Sequence, residues 1–352
     1  MIEVIRQMAR PHTRCRWLAG VFLLTLSSLA SAQCLSETDL KGVNLAGAEF
    51  NGKKIPGKIN KDYIYPNLDD LDYVVALGGN VIRLPFRWER IQPRLSEELD
   101  QAELIRLKAV VKAAKARHLC TILDIHNYGY FGKEIIGSES VPVSAFHDLW
   151  IRLAAQFTDP EATILGLMNE PSGLTIATWS PIAQSTVNAV RNDGAKNIIL
   201  VSGGRWSGVH EWFKKSGTPA MSNAEAFGGL QDKLDRSWLE VHQYADANYS
   251  GMGKECISPD RFEKIFAPLS AWAKKSEKKL FLGEFGVPAD DNCIAALSEI
   301  LKQISENESW KGSAYWAAGR WWGGYPYSIQ MKDGAEPRQT GPLRNYFANK
   351  KN

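Results

Sequence analysis

Eight short, almost uninterrupted apolar runs, separated by helical patterns, constrain the fold of this chain more than any other feature. They are GVNLAG (42–47), NVIRLPF (80–86), CTILDIH (120–126), TILGLMNE (163–170), NIILVSG (197–203), WLEVHQY (238–244), KLFLGEFG (279–286) and GSAYWAAG (312–319). Runs of this kind are strands covered on both faces, as in a parallel sheet clothed by helices. Helical spacing is expected at 68–77, 97–117, 143–157, 180–192, 261–275 and 289–307. The clearest case is 97–117, with Ser96 as N-cap and Lys112, Lys115 and Arg117 at its C-terminal end. Eight strand–helix units are the number that closes an α/β (β/α)8 TIM barrel. A doubly wound sheet would usually open on a glycine-rich G-x-G-x-x-G turn, and none follows the first run.

The repeat occupies one stretch without a linker or low-complexity tract, so a single catalytic domain is expected over 33–352. The first 32 residues differ. Arg6, Arg10, Arg14 and Arg16 precede an apolar stretch, 17–29, and Ala30-Ser31-Ala32 offers an A-x-A pattern. This reads as a signal peptide cut after Ala32. The apolar stretch is shorter than the roughly 20 residues that span a bilayer, and Gln33 before Cys34 argues against a lipid-anchored cysteine. A secreted or periplasmic protein, free of the membrane after cleavage, is expected.

Four arginines and one glutamate leave with that segment, so the formal charge of +3 becomes zero. A neutral chain offers no general field for nucleic acid. Four cysteines remain, which permits disulfides in an exported protein. Cys256–Cys293 is the favoured pair and Cys34–Cys120 the second; a buried free thiol is the alternative for Cys120.

Polar groups collect at the C-terminal ends of the expected strands: Arg83, His126, Asn169, Glu170, His242, Tyr244, Glu284 and Trp316. In a barrel these ends share one mouth, where the chemistry sits. Any one of them alone is ordinarily a solvated loop residue or a helix cap; eight at the same end of their strands is not. The carboxylates Glu170 and Glu284 suit glycosidic bond cleavage, one giving a proton to the leaving oxygen and the other attacking the sugar carbon. Arg83 and the Tyr244 hydroxyl can hold one of them as the anion. The chain has 12 tryptophans, and pyranose faces stack on indole. Trp88, Tyr128, Tyr130, Phe131, Trp179, Trp206, Trp316, Trp321 and Trp322 all follow strand ends. Tyr128, Trp206, Trp321 and Trp322 are taken as subsite aromatics.

RLPFRW (83–88), HNYG (126–129), GLMNEP (166–171), VHQY (241–244), GEFG (283–286) and YWAAG (315–319) together resemble glycoside hydrolase family 5, above all its secreted endo-β-1,4-glucanases, the cellulases. The resemblance covers about 41–327. It implies a retaining mechanism on a (β/α)8 barrel, with Glu170 as acid/base and Glu284 as nucleophile. Asn169 would bond the sugar 2-hydroxyl, Arg83 and Tyr244 would position Glu284, His126 and His242 would line the site, and Trp316 would form a sugar platform. AAGRWWGGY departs from the pattern by placing Arg320 where proline is frequent.

Other chemistries fit less well. A metal-dependent barrel would want H-x-H on its first strand, and neither H-E-x-x-H, C-x-x-C nor a P-loop occurs. The nearest string to G-x-S-x-G is GRWSG, with its serine misplaced. No cofactor or metal is expected. A β-glucan is the expected partner and a monomer the expected state. β-Mannan, xyloglucan and mixed-linkage glucan are alternative substrates, and a non-catalytic glycan-binding barrel is the alternative from another class.

Overall fold

The computed structural model describes Cys34, Leu35 and residues 39–349; the expected leader, 1–32, lies outside them. Strands β1 (Leu40–Leu45), β2 (Val81–Phe86) and β3 (Cys120–Ile125) come first, then a small hairpin of β4 (Tyr130–Phe131) and β5 (Glu134–Ile135). β6 (Thr163–Gly166), β7 (Ile199–Ser202), β8 (Ser237–Tyr244), β9 (Leu280–Gly286) and β10 (Trp310–Ala318) follow. All but the hairpin pair in parallel, in the closed order β1-β10-β9-β8-β7-β6-β3-β2. This is the expected (β/α)8 barrel.

The helices are α1 (Leu68–Ala76), α2 (Trp88–Ile91), α3 (Gln101–Lys115), α4 (Val143–Gln156), α5 (Ile176–Asn192), α6 (Asn223–Phe227), α7 (Arg261–Lys275), α8 (Asp291–Ser305) and α9 (Thr340–Ala348). Their starts follow local capping chemistry. Asn67 and Asp70 close a capping box on α1, and Thr175 and Asp290 cap α5 and α8. The cap of α3 corrects the sequence reading: Asp100, not Ser96, accepts the Glu103 N–H. Ser96 instead takes a left-handed turn, φ 61°. α5 begins four residues earlier than expected, with Pro181 inside it. The short α2 and α6, the C-terminal α9 and the hairpin carry too little periodicity to be read in advance. Among the described residues no helix is long and apolar enough to cross a membrane.

Period-2 alternation splits each strand. Ile82, Leu84, Leu123, Ile125, Leu239 and Val241 face the helices in the main core. Leu40, Val81, Ile122, Ile164, Trp238 and Phe281 fill the barrel floor. Further up the same inward rows stand Asn44, Arg83, Asp124 and Glu240, and the register shift in β9 brings Glu284 to the same layer, all buried. The barrel is thus apolar at its base and charged at its mouth.

Both disulfides form, with Cα–Cα distances of 5.5 Å for Cys34–Cys120 and 5.2 Å for Cys256–Cys293. The free-thiol alternative for Cys120 is therefore set aside. The first pins Cys34 to the barrel floor. The second joins the segment after β8 to the start of α8, and a closure of 37 residues stabilises by about 3–4 kcal/mol.

Candidate active site

Arg83 organises the mouth. Its guanidinium is fully buried and meets three carboxylates: Glu284 at 2.9 Å, Glu240 at 2.8 Å and Asp124 at 3.2 Å. It also donates to Asn169 Oδ1 at 2.8 Å and Asn44 Oδ1 at 3.0 Å. Asn44 is itself held by the carbonyls of Gly283, Ala314 and Tyr315. A buried cation needs this density of anionic and carbonyl partners, and those charges raise its pKa against the cost of burial.

Glu284 is fixed from two sides. Arg83 holds Oε1, and the Tyr244 hydroxyl donates to Oε2 at 2.6 Å. Its height on β9 depends on a register shift between Val241 and His242, which sets Glu284 opposite His242. Gly283 permits it: a Cβ there would lie 2.0 Å from Glu240 Oε1.

Glu170 lies beyond the end of β6, in left-handed backbone at φ 40°, a costly choice for a non-glycine residue that concentrates at functional sites. Its Oε1 is 2.7 Å from His242 Nδ1. Burial raises the Glu170 pKa and Glu284 adds to this, against the pull of His242. For His242 burial works downward, but the charge of Glu284 and the bonds to Glu170 and Glu240 lift it to about 10. Glu240 goes the other way, held down to about 2 by Arg83 and His242 despite its burial. One oxygen each of Glu170 and Glu284, with a His242 nitrogen, lie within 4.8 Å of one another. Carboxyl groups about 5–5.5 Å apart are the arrangement for direct attack on a sugar carbon; about 6.5–9.5 Å leaves room for an intervening water.

His126 faces the same space. Its Nδ1 is 2.7 Å from Asp124 Oδ2, which leaves Nε2 to accept from Asn169 Nδ2 at 3.3 Å and from the Tyr128 hydroxyl at 3.2 Å. Burial drops its pKa well below the usual imidazole range, so the ring is neutral. Burial pushes Asp124 up, to about 7, against Arg83.

These groups open into a cleft of about 820 Å³ lined by His126, Glu170, Tyr244, Glu284 and Trp316, with an aromatic wall. Trp316 stacks on His126 at 5.5 Å and meets Trp322 edge-on at 5.7 Å. Tyr128 and Trp206 touch edge-to-face at 6.0 Å, and Trp206 is 57% exposed. Of the expected subsite aromatics, Tyr128, Trp206 and Trp322 line the cleft; Trp321 is exposed outside its lining. Trp88 and Trp179 are core residues whose indoles donate to Gln92 and to the Ser202 carbonyl. Arg320 ties the loop after β10 to α1 through Asp70, at 3.1 Å.

The sequence reading missed Asn44, Asp124 and Glu240, and also Tyr249 and Tyr325 in the cleft wall. Asp124 and Glu240 had a usable signal: each stands two residues before a chosen histidine, on the same strand face.

The family model described as cellulase, glycosyl hydrolase family 5, matches residues 42–320. The chain belongs to that family. It is therefore a glycoside hydrolase. Endo-beta-1,4-glucanase B of Aspergillus niger is 33% identical over 295 residues, covering 83% of this chain and 85% of the relative. The structure of XacCel5A in complex with cellopentaose superposes with a TM-score of 0.85 at 42% identity, over 88% of this chain and 99% of that one. Endoglucanase Cel5A of Pseudomonas stutzeri gives 0.80 at 34%, over 88% and 94%.

Proposed function

We propose that this family 5 enzyme is an endo-β-1,4-glucanase that cleaves internal bonds of cellulose or related β-glucans with retention of anomeric configuration. Glu284, held as the anion by Arg83 and Tyr244, attacks the anomeric carbon as Glu170 passes its proton to the departing oxygen. A covalent glycosyl-enzyme forms and the aglycone leaves. Glu170, now ionised, takes a proton from water, whose oxygen displaces Glu284 and frees the sugar. Asn169, oriented by Arg83, offers its amide to the sugar 2-hydroxyl, and Trp316 offers a stacking face.

The observation that carries this reading is the carboxylate pair within 4.8 Å at the mouth of the cleft. The names of the relatives support the substrate: endo-beta-1,4-glucanase B in Aspergillus niger, and a cellopentaose complex of XacCel5A. The two disulfides and the arginine-led apolar segment before Cys34 support export by a signal peptide cut after Ala32.

Reducing-sugar release measured side by side on carboxymethylcellulose, barley β-glucan, xyloglucan and galactomannan tests it. The two unbranched glucans are expected to be cut fastest, with viscosity falling early as internal bonds break. Cleavage of galactomannan alone would overturn the glucanase reading.

A further inference from the structure

A second cavity, of about 480 Å³, adjoins the catalytic cleft; Tyr128 lines both. Its other walls include Gly52, Lys53, Arg87 and Glu89. None of these takes part in the bond-breaking steps above.

Arg87 lines this cavity with only carbonyl partners. Its Nε donates to the Glu49 carbonyl at 3.1 Å and its Nη1 to the His126 carbonyl at 2.8 Å. Neither partner is charged, and among the described residues Arg87 has no ion pair. Arg83 and Arg191, by contrast, are each matched by carboxylates. The Glu49 side chain does not supply the missing charge, because burial pushes its carboxyl up to about 8. Two carbonyl bonds fix the plane of the Arg87 guanidinium and leave Nη2 uncommitted.

Gly52 packs directly against the guanidinium, where a Cβ would lie 1.9 Å from Arg87 Nη2; a larger residue there would displace the arginine, which stays in the cavity lining. Lys53, next along the chain, is exposed and forms no ion pair among the described residues. The one acidic side chain in the lining, Glu89, has both oxygens engaged, by the Gly132 N–H at 2.6 Å and by Asn127 Nδ2 at 2.8 Å. The pocket therefore presents two cations against one satisfied carboxylate, with a planar donor set of the kind that grips carboxylates.

Resting on the glucanase reading, the geometry points to a subsite for a carboxylate carried by the glucan: the cavity beyond Tyr128 accepts an acidic sugar unit or substituent of a chain lying in the cleft, through Arg87 Nη2 and Lys53. The enzyme thereby favours acidic β-glucans over neutral ones of equal length.

The test compares kcat/KM on soluble cellulose oxidised at C6 to the uronate, on carboxymethylcellulose, and on neutral hydroxyethylcellulose of matched length. The readout is the ratio of acidic to neutral rates in low and in high salt. In wild type the ratio exceeds one at low salt and falls toward one as salt screens the exposed lysine. Lys53→Gln lowers it about threefold, and Arg87→Gln about tenfold, the size of a charged hydrogen bond. A purely structural role for Arg87 would lower all three rates together and leave the ratio fixed. A preference for the C6 uronate places the acid on the main chain; a preference for carboxymethylcellulose places it on a substituent. A ratio that neither substitution nor salt changes, in enzyme still active on hydroxyethylcellulose, overturns the subsite. Loss of hydrolysis on all three polymers by wild type would instead overturn the glucanase reading.

Discussion

Replacing Glu284 with alanine is expected to lower kcat at least about 10⁴-fold on every substrate, about 5 kcal/mol of transition-state stabilisation. In the proposed mechanism this side chain is the attacking group, and no other carboxylate is placed to replace it. Glu240, the nearest alternative on the neighbouring strand, is buried below the mouth and tied to Arg83. The alanine leaves a small hole beside Arg83 and the Tyr244 hydroxyl, both of which held an anion. Azide added to this variant with an activated aryl β-cellobioside is expected to enter that hole and give the α-glycosyl azide, the product of a single inversion. Near-normal turnover without azide would remove Glu284 from the role.

Glu170→Ala is expected to separate substrates by leaving group. On cello-oligosaccharides, whose departing alkoxide needs a proton, kcat/KM falls about 10³-fold, within the usual range for a lost general acid. On aryl glycosides with a good leaving group it falls about tenfold or less, because kcat/KM reports the first covalent step and that step then needs little protonation. The pH profile carries a second signature. Burial and Glu284 raise the Glu170 pKa, and a raised pKa keeps the acid protonated to higher pH. Wild-type kcat/KM on oligosaccharides therefore falls as pH rises through that value. The alanine variant loses this limb, since no group remains to deprotonate there. Equal losses on both substrate types, with the limb retained, would assign the proton transfer elsewhere.

Much of this was readable in advance because barrel strands are buried on both faces. Continuous apolar runs marked all eight, and residues in or just past six of them marked the mouth. Glu284 could be placed on β9 from GEFG alone, since the strand runs on to Gly286. Glu170 was harder to place: β6 stops at Gly166, and the chain reaches Glu170 through irregular backbone anchored by the Asn169 N–H on the Ile125 carbonyl. Nothing in TILGLMNE distinguishes that path from a longer strand.

The buried polar layer was legible only in part. Asp124 and Glu240 look like breaks in apolar runs until alternation puts them in line with His126 and His242. Asn44 gave no signal, because its role depends on carbonyls from β9 and β10, 239 to 271 positions away. Trp88 and Trp179 have the composition of sugar platforms but the packing of core, and a tryptophan after a strand reads the same in either case. Trp206 differs through its backbone: Arg205, Trp206 and Ser207 all have positive φ, and Ser207 anchors the turn on the Gly203 N–H at 2.7 Å and the Glu240 carbonyl at 2.5 Å. Local propensity does not foretell three left-handed residues in a row.

The spacing of Glu170 and Glu284 makes one commitment about stereochemistry, and the newborn reducing end records it. Proton NMR of wild-type enzyme acting on a cello-oligosaccharide, followed from the first seconds before mutarotation, reads that outcome directly. The β-anomer appearing first is the predicted result. The α-anomer appearing first would mean that water, not Glu284, attacks the sugar, and would contradict the account.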